Sequence, residues 1–510
     1  MHCEFTLSET EFEISREIYK REVPLLREYL LNAQFELVKQ KNFSVIVVIA
    51  GLEGSGKART LNKLTEWMDP RLIQTHALRS PPSDEENERP PMWRYWRKLP
   101  PKGHIAIFLG GWYTEPLKQR LGGKINHDEF TESIKRIRDF ERMLLDEGVL
   151  ILKYWLRFDE AQQKERIEKL ESNETTSWRI TSEDKIVLKR YRKIRKVFDQ
   201  MLEGTHTEFA PWEVIENRST KHRELIVGKN LLEALKKQLC QTNLTSAETL
   251  PRLYAPHVCR IGRLSELDLS QGIEKKSYKK KISALQERLG RLTKSPAFRN
   301  LSVICVFEGP DAAGKGGCIR RIAQAVDSRI MSVIPIAAPT DEEIARPYLW
   351  RFWRNLPNLG SLTVFDRSWY GRVLVERIEG FCSEKDWSRG YDEINDFELQ
   401  MVSSRFLVIK FWLHISKDEQ QRRFDERSKI PFKRFKLTEE DWRNRDKWES
   451  YEQAACDMFN RTSTDFAPWT IVEANDKYFA RIKVLDTVCN HLEAALKRKN
   501  FHLRNDHHST

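Results

Sequence analysis

The chain repeats itself, and that constrains its architecture before any single residue is weighed. The segment Ser44–Gly51 (SVIVVIAG) returns as Ser302–Gly309 (SVICVFEG), 258 positions later. Arg89–Pro100 returns as Arg346–Pro357 with eight of twelve positions identical, and Phe209–Trp212 (FAPW) returns as Phe466–Trp469. The order is kept and the offset drifts only from 258 to 257. The 510 residues are therefore predicted to hold two copies of one domain of about 240 residues each. The first copy is expected over residues 1–242, a polar, proline-containing linker over 243–272, and the second copy over 273–510.

Each copy reads as a long amphipathic helix, a short apolar strand, a glycine-rich turn, a helix, and then further strands alternating with helices. Leu362–Phe365 and Phe406–Trp412 are compact apolar runs between polar residues, as strands buried on both faces should be. Such alternation predicts an α/β fold, a parallel sheet with helices on both faces. The first residues lack the basic and apolar regions of a signal peptide, and runs such as Val45–Ala50 are far too short to cross a bilayer. A cytoplasmic protein with no membrane partner is expected. Eight cysteines without a Cys-x-x-Cys pair predict reduced thiols rather than a disulfide framework or a zinc site. The net charge of +12 suits a polyanionic partner (nucleic acid, nucleotide or phosphate polymer) and equally a solvated lysine-rich surface.

The second copy carries the chemistry. Strand Val303–Phe307 runs into Gly309-Pro-Asp-Ala-Ala-Gly314-Lys315-Gly316-Gly317, and a helix is expected to begin near Cys318. Gly-x4-Gly-Lys between a strand and a helix is the setting of a phosphate loop. The glycines let backbone N–H groups approach phosphate oxygens, the helix N-terminus adds partial positive charge, and Lys315 reaches the transferred group. Gly316 stands where such loops usually carry a metal-binding Ser or Thr, so Asp311 is the candidate metal ligand within the loop. The partner element is Leu362–Arg372 (LTVFDRSWYGR). Asp366 at its strand end is the second candidate metal ligand, and Arg367 and Arg372 are candidates to neutralise the reacting phosphates. Glu376, four residues beyond Arg372, can orient that arginine if the segment is helical.

The first copy keeps Gly51, Gly56 and Lys57, but Gly316 and Gly317 become Ala58 and Arg59, and Asp366-Arg367-Ser368 becomes Leu109-Gly110-Gly111. A leucine cannot hold a metal, so the first copy is predicted to be inactive. The segment 421–436 agrees: seven bases against two acids give it a net +5, whereas its counterpart 164–179 is neutral. Arg422, Arg423, Lys429, Lys433, Arg434 and Lys436 are accordingly expected on a basic lid over the phosphates. Trp350–Arg354 (WRFWR) has the look of a nucleic-acid platform, but the first copy retains it as Trp93–Arg97 (WRYWR). Features kept where chemistry is lost are read as architecture, and no nucleic-acid partner is expected.

The stretches Phe307–Gly317 (FEGPDAAGKGG) and Asp366–Arg372 (DRSWYGR), with Leu349-Trp350-Arg351 and the basic lid, resemble the polyphosphate kinase 2 family, over nearly the whole chain and in the layout of its fused, two-copy members. The resemblance implies a P-loop kinase fold, inorganic polyphosphate as phosphoryl donor, a nucleotide acceptor and Mg²⁺. It further implies that Asp311 and Asp366 are catalytic and metal-organising, that Lys315 and Arg367 contact the transferring group, that Glu376 supports the site and that the lid bases hold the polymer. The fused layout points to AMP as acceptor, and association into homo-oligomers is a further implication. Three alternatives stay open at this point: polyphosphate-dependent phosphorylation of ADP or GDP, an ATP-dependent small-molecule kinase on the same fold, and a polyanion-binding protein without catalysis.

Overall fold

The computed structural model describes residues 14–157, 159–178, 180, 182–216, 219–240, 264–430 and 439–497. They fall into two compact units. One holds the described residues of the first repeat other than Asp84–Trp93, together with Thr340–Trp350; the other holds those of the second repeat other than Thr340–Trp350, together with Asp84–Trp93. The expected boundaries near 242 and 272 lie just after helix Thr220–Cys240 and just before helix Lys275–Thr293.

Each unit is built on a five-stranded parallel sheet. The first contains β1 (Val45–Gly51), β2 (Ile73–His76), β3 (Ile105–Leu109), β4 (Leu150–Arg157) and β5 (Trp212–Glu216), in the order β2-β3-β1-β4-β5. The second contains β6 (Ser302–Glu308), β7 (Met331–Pro335), β8 (Leu362–Asp366), β9 (Phe406–His414) and β10 (Trp469–Glu473), in the order β7-β8-β6-β9-β10. The two sheets match strand for strand, as the repeat requires.

The central strand of each sheet is its first in sequence, and the reason is chemical. Every residue of β6 is buried, so the run Ser-Val-Ile-Cys-Val-Phe-Glu is stable only with neighbours on both edges and both faces. One face of β6 packs on helices Lys315–Ala323 and Lys477–Lys497 through Val303, Cys305, Ile319, Val484 and Val488. Burying each large apolar side chain of this kind contributes roughly 1.5–3 kcal/mol. The strand order turns at β6, and in sheets of this type the loops beyond the strands' carboxyl ends there form the ligand crevice. Pairing of Phe307 with Asp366 brings the end of β8 beside the loop leaving β6.

The aromatic motifs kept in both repeats form a buried polar cluster in each unit. In the second, Glu398 accepts from Trp369 Nε1 (3.0 Å) and Tyr370 Oη (2.7 Å), while Lys410 Nζ donates to Glu398 (2.7 Å), Tyr370 Oη (2.9 Å) and the Thr462 carbonyl (2.7 Å). In the first, Glu141 accepts from Trp112 (2.9 Å), Tyr113 and Lys153 (2.8 Å), and Lys153 also donates to the Thr205 carbonyl (2.7 Å). Trp93, Trp96, Trp350 and Trp353 are all buried as well. The aromatic residues of the WRFWR motif are therefore packed into the core, which leaves no open aromatic platform.

Candidate active site

Gly309 directly follows β6 with φ +135°, and a Cβ there would lie 2.3 Å from the Leu413 carbonyl of β9. Only glycine lets the loop leave the sheet so close to the neighbouring strand. The loop then folds back on the helix Lys315–Ala323, which begins three residues earlier than the sequence suggested. Lys315 Nζ donates to the carbonyls of Gly309 (2.5 Å) and Pro310 (3.2 Å), which curls the loop around its own lysine. A Cβ on Gly316 would meet nothing within 4 Å, so lack of space does not explain the absent hydroxyl.

Asp311 is the most connected group of the loop. Its Oδ1 accepts from Arg367 Nη2 (2.9 Å) and its Oδ2 from Asn444 Nδ2 (2.9 Å), and Asn444 is fixed in turn by the Tyr451 hydroxyl (3.1 Å). Burial alone would raise the Asp311 carboxyl, but Lys315, Arg367 and Asn444 together hold it below its ordinary value. Burial pushes the Lys315 ammonium down, and Arg367 adds to this, while Asp311, Asp366 and Glu308 pull the other way. Glu308, at the end of β6, accepts from Ser368 Oγ (2.7 Å), and burial lifts its carboxyl above the usual range.

Arg367 has φ +64° and Ala312 φ +63°, left-handed conformations that cost a side-chain-bearing residue roughly 1–2 kcal/mol. The first repeat has glycine at both positions, Gly110 at φ +72° and Gly54 at φ +76°. The backbone kink is common to both copies, and only the second bears it with an arginine. Strain of this sort persists where a side chain must be aimed.

Two cavities meet at this point, both lined by Asp311 and Arg367. One, of about 550 Å³, is lined by the phosphate loop and by Lys315, Arg320, Arg321, Arg367, Arg427 and Arg481 against Asp311, Asp366 and Asp441. Six bases against three acids make it a receptacle for several phosphates. The other, of about 500 Å³, has a wall of apolar and aromatic groups, including Ile336, Phe381, Trp412 and Trp448, with Arg351, Glu376 and Arg443 among its polar groups. A planar, partly apolar ligand with one charged end fits that description.

The structure thus brings Asp311, Lys315, Asp366, Arg367 and Glu376 to these cavities, and it changes the expectation for two arginines. Arg372 lines neither cavity: it is buried, pairs with Glu376 (3.0 Å) and packs its stem against Gly390. The chain turns from a 3₁₀ segment (Trp369–Val373) into the short helix Val375–Glu379 at this point, so the pair forms but holds the wall rather than a phosphate. Arg423 is 4 % exposed and donates to the carbonyls of Ala312 (2.8 Å), Ala313 (3.0 Å), Ala474 (2.6 Å) and Asn475 (2.9 Å) and to Glu419 (2.5 Å). With its donors committed, it braces the phosphate loop and cannot serve a lid. Arg422 is exposed and tied to Glu419 and Glu426, and Lys429 is exposed at the end of the same helix. Lys433, Arg434 and Lys436 lie outside the described residues.

Sequence reasoning missed Asn444, Glu308, Arg351, Arg481 and the cavity role of Arg427. Asn444 is 133 positions from the carboxylate it serves and belongs to no recognisable spacing. Glu308 lies within the stretch Phe307–Gly317, but an acid at the end of an apolar run gives no sign of what it faces.

Phosphoryl transfer generally uses a divalent metal. Among the described residues no cluster of three or more His, Cys, Asp or Glu could hold one unaided. Asp311 and Asp366 on one cavity nevertheless suit a divalent ion that takes one or two carboxylates and completes its shell with water and substrate phosphates. Among the described residues no helix is long and apolar enough to cross a membrane.

Comparison with known proteins agrees with this geometry. The family model of polyphosphate kinase 2 (PPK2) matches residues 13–243 and again 272–500. The chain is 48 % identical over 494 residues to the polyphosphate:AMP phosphotransferase of Pseudomonas aeruginosa, covering 97 % of this chain and 99 % of that protein. It is 35 % identical over 472 residues to the polyphosphate:AMP phosphotransferase of Acinetobacter johnsonii, covering 91 % and 95 %. A crystal structure of a polyphosphate kinase 2 from Pseudomonas aeruginosa superimposes with a TM-score of 0.85 at 48 % identity, over 96 % of this chain and 98 % of that one. Two tandem parallel sheets, a phosphate loop at the switch point of the second and relatives of full length converge on one conclusion: the chain belongs to the polyphosphate kinase 2 family.

Proposed function

We propose that this protein transfers the terminal phosphoryl group of inorganic polyphosphate to AMP, releasing ADP and a polymer one unit shorter, and that the second repeat does the chemistry. The observation that carries this reading is the pair of cavities, one basic and one partly aromatic, joined at Asp311 and Arg367. A polymer end in the first and a nucleotide in the second would face each other across those two side chains. AMP as acceptor follows the activity by which the full-length relatives are named.

The acceptor oxygen belongs to a phosphate whose second pKa is about 6, so it is already ionised at neutral pH and requires no general base. What the protein must supply is alignment and charge compensation. Lys315 and the loop N–H groups would hold the transferring phosphoryl, and Arg367 would bridge donor and acceptor oxygens, its direction set by the strained backbone and by Asp311. Asp311 and Asp366 would hold Mg²⁺, which when bound neutralises phosphate charge and orients the reacting oxygens. Glu376, with Arg372 behind it, would shape the acceptor side. The lid bases Arg422, Lys429, Lys433, Arg434 and Lys436 would contact the polymer. The first repeat, lacking Asp366 and Arg367 counterparts, would be catalytically silent. A cytoplasmic setting, where the nucleotide acceptor is made and used, belongs to the same proposal.

The test is an acceptor panel of AMP, ADP and GDP with polyphosphate and Mg²⁺ and no ATP. ADP formed from AMP at a higher kcat/KM than either diphosphate gives its product is the expected result. Transfer to ADP or GDP in preference would overturn the acceptor, and transfer only when ATP is supplied would overturn the donor.

A further inference from the structure

The helix Lys275–Thr293 opens with Lys275, Lys276, Lys279, Lys280 and Lys281, all exposed. Glu274 precedes them, and the next carboxylate is Glu287. Seven residues of helix rise only about 9 Å, so five ammonium groups crowd less than two turns. Local physics disfavours this. Cations at a helix N-terminus oppose the helix dipole, and like charges four apart, here Lys275/Lys279 and Lys276/Lys280, repel. A first turn that needed only to be soluble would carry acids.

Tyr278, in the middle of the cluster, turns inward. It is 7 % exposed, its ring stacks on Tyr478 with centroids 4.4 Å apart, and its hydroxyl accepts from Arg321 Nε at 3.3 Å. The Arg481 guanidinium lies 6.0 Å from the Tyr478 ring. Arg321 and Arg481 both line the basic cavity, next to Arg320. The lysine-bearing turns are therefore anchored directly on the rim of that cavity.

The first repeat serves as an internal control. Its helix Arg16–Gln40 has Tyr19 at the same helical position, flanked by Arg16, Glu17, Lys20, Arg21 and Glu22, a net +1 against +5. Tyr19 donates there to Glu224 (2.5 Å), Glu22 pairs with Arg21 (3.3 Å) and Lys229 (3.1 Å), and Arg320 and Arg321 correspond to Asn62 and Lys63, the latter tied to Glu66 (2.6 Å). The positive charge fades in the same copy that lacks the Asp366 carboxylate.

We propose that Lys275, Lys276, Lys279 and Lys280 extend the basic cavity into a distal track that binds polyphosphate beyond the units held at the phosphate loop. The inference rests on polyphosphate being the donor. A linear chain with a charge on every unit can occupy the cavity and the helix together, whereas a compact nucleotide cannot. Nucleic acid is a poorer match, since its bases need open aromatic faces and the two tyrosines here stack on each other.

The test replaces these four lysines with glutamine in the full-length protein. KM is then measured for short and long polyphosphates with AMP, at low and high salt. The long-chain KM should rise roughly fourfold or more at low salt, fourfold being the low end for four exposed charge contacts. The gap should close as salt shortens the Debye length from about 10 Å toward 3 Å. Short-chain KM, kcat and the KM for AMP should stay within about twofold, and thermal stability should hold or rise as like-charge repulsion is removed. An unchanged long-chain KM, an equal loss at both lengths, or a fall in stability would overturn the track. Loss of single-stranded nucleic acid binding with no change in long-chain KM would assign the lysines to that partner instead. If the wild-type protein transfers nothing from polyphosphate, the donor reading itself fails, and that outcome is distinct from all of these.

Discussion

The two phosphate loops differ far less in shape than in what surrounds them. Lys57 Nζ donates to the carbonyls of Gly51 (2.9 Å) and Leu52 (3.0 Å), just as Lys315 does to Gly309 and Pro310, and Glu53 even supplies a carboxylate where the second loop has Asp311. The divergence lies one strand away. There Leu109 ends β3 and Gly110 follows it, where Asp366 ends β8 and Arg367 follows. A phosphate loop is a backbone device and survives on glycines and one lysine. On the proposed reading the neighbouring strand contributes the charge for catalysis, and the first copy has no such charge at that strand end.

The largest effect should come from Asp366→Asn, which alters that neighbouring strand alone. Transfer from polyphosphate to AMP should fall at least a thousandfold, about 4 kcal/mol of barrier, with the circular dichroism spectrum unchanged. A folded variant that keeps a tenth of wild-type activity would mean that the carboxylate is not what separates the copies.

Next in size are the buried clusters, where the copies should behave alike. Lys410→Ala and Lys153→Ala each strand a buried glutamate, and each should destabilise its unit by about 3–5 kcal/mol in chemical denaturation. A large cost in one unit and none in the other would show that the retained aromatics serve the site after all.

Lys315→Ala should lower kcat/KM about a hundredfold, whereas Lys57→Ala should stay within about twofold of wild type. Similar losses from both would mean that the first loop binds something the reaction needs.

The smallest effect concerns strain. Arg367→Gly makes β8 end as β3 does, relieving a left-handed arginine at a cost of one ion pair to Asp311, whose members are 39 % and 13 % exposed. Stability should hold or rise by up to about 1 kcal/mol while activity is lost. A drop in thermal midpoint would show the arginine to be structural.

Much of this comparison was legible in the sequence. The strands were readable because a buried parallel strand is a nearly unbroken apolar run, as in Ser302–Glu308. The loop was readable because its glycines answer a backbone need that no other residue meets. Arg423 was not, because counting charges in 421–436 gives the sum without the direction of any side chain. That arginine sits beside exposed Arg422 and one turn from half-buried Arg427, yet points inward to four carbonyls. Asn444 was equally hidden, since its partner comes from a loop folded against it from far away in sequence. Arg372 illustrates a third limit. The spacing to Glu376 was right, but which face of the pair looked into the cavity depended on the break at Leu374.

The positive φ shared by Arg367 and Gly110 also makes the two corners unequal in how they answer substitution. Where no arginine is required, glycine is the relaxed choice at that corner. Replacing it is uphill at the first step. An arginine placed at position 110 meets the backbone penalty at once, but Leu109 still denies it the adjoining carboxylate that would make the charge useful. Neither change is rewarded without the other. Under the proposed reading, local conformational energy holds the first repeat in that state, and an arginine at position 110 by itself does not restore the site.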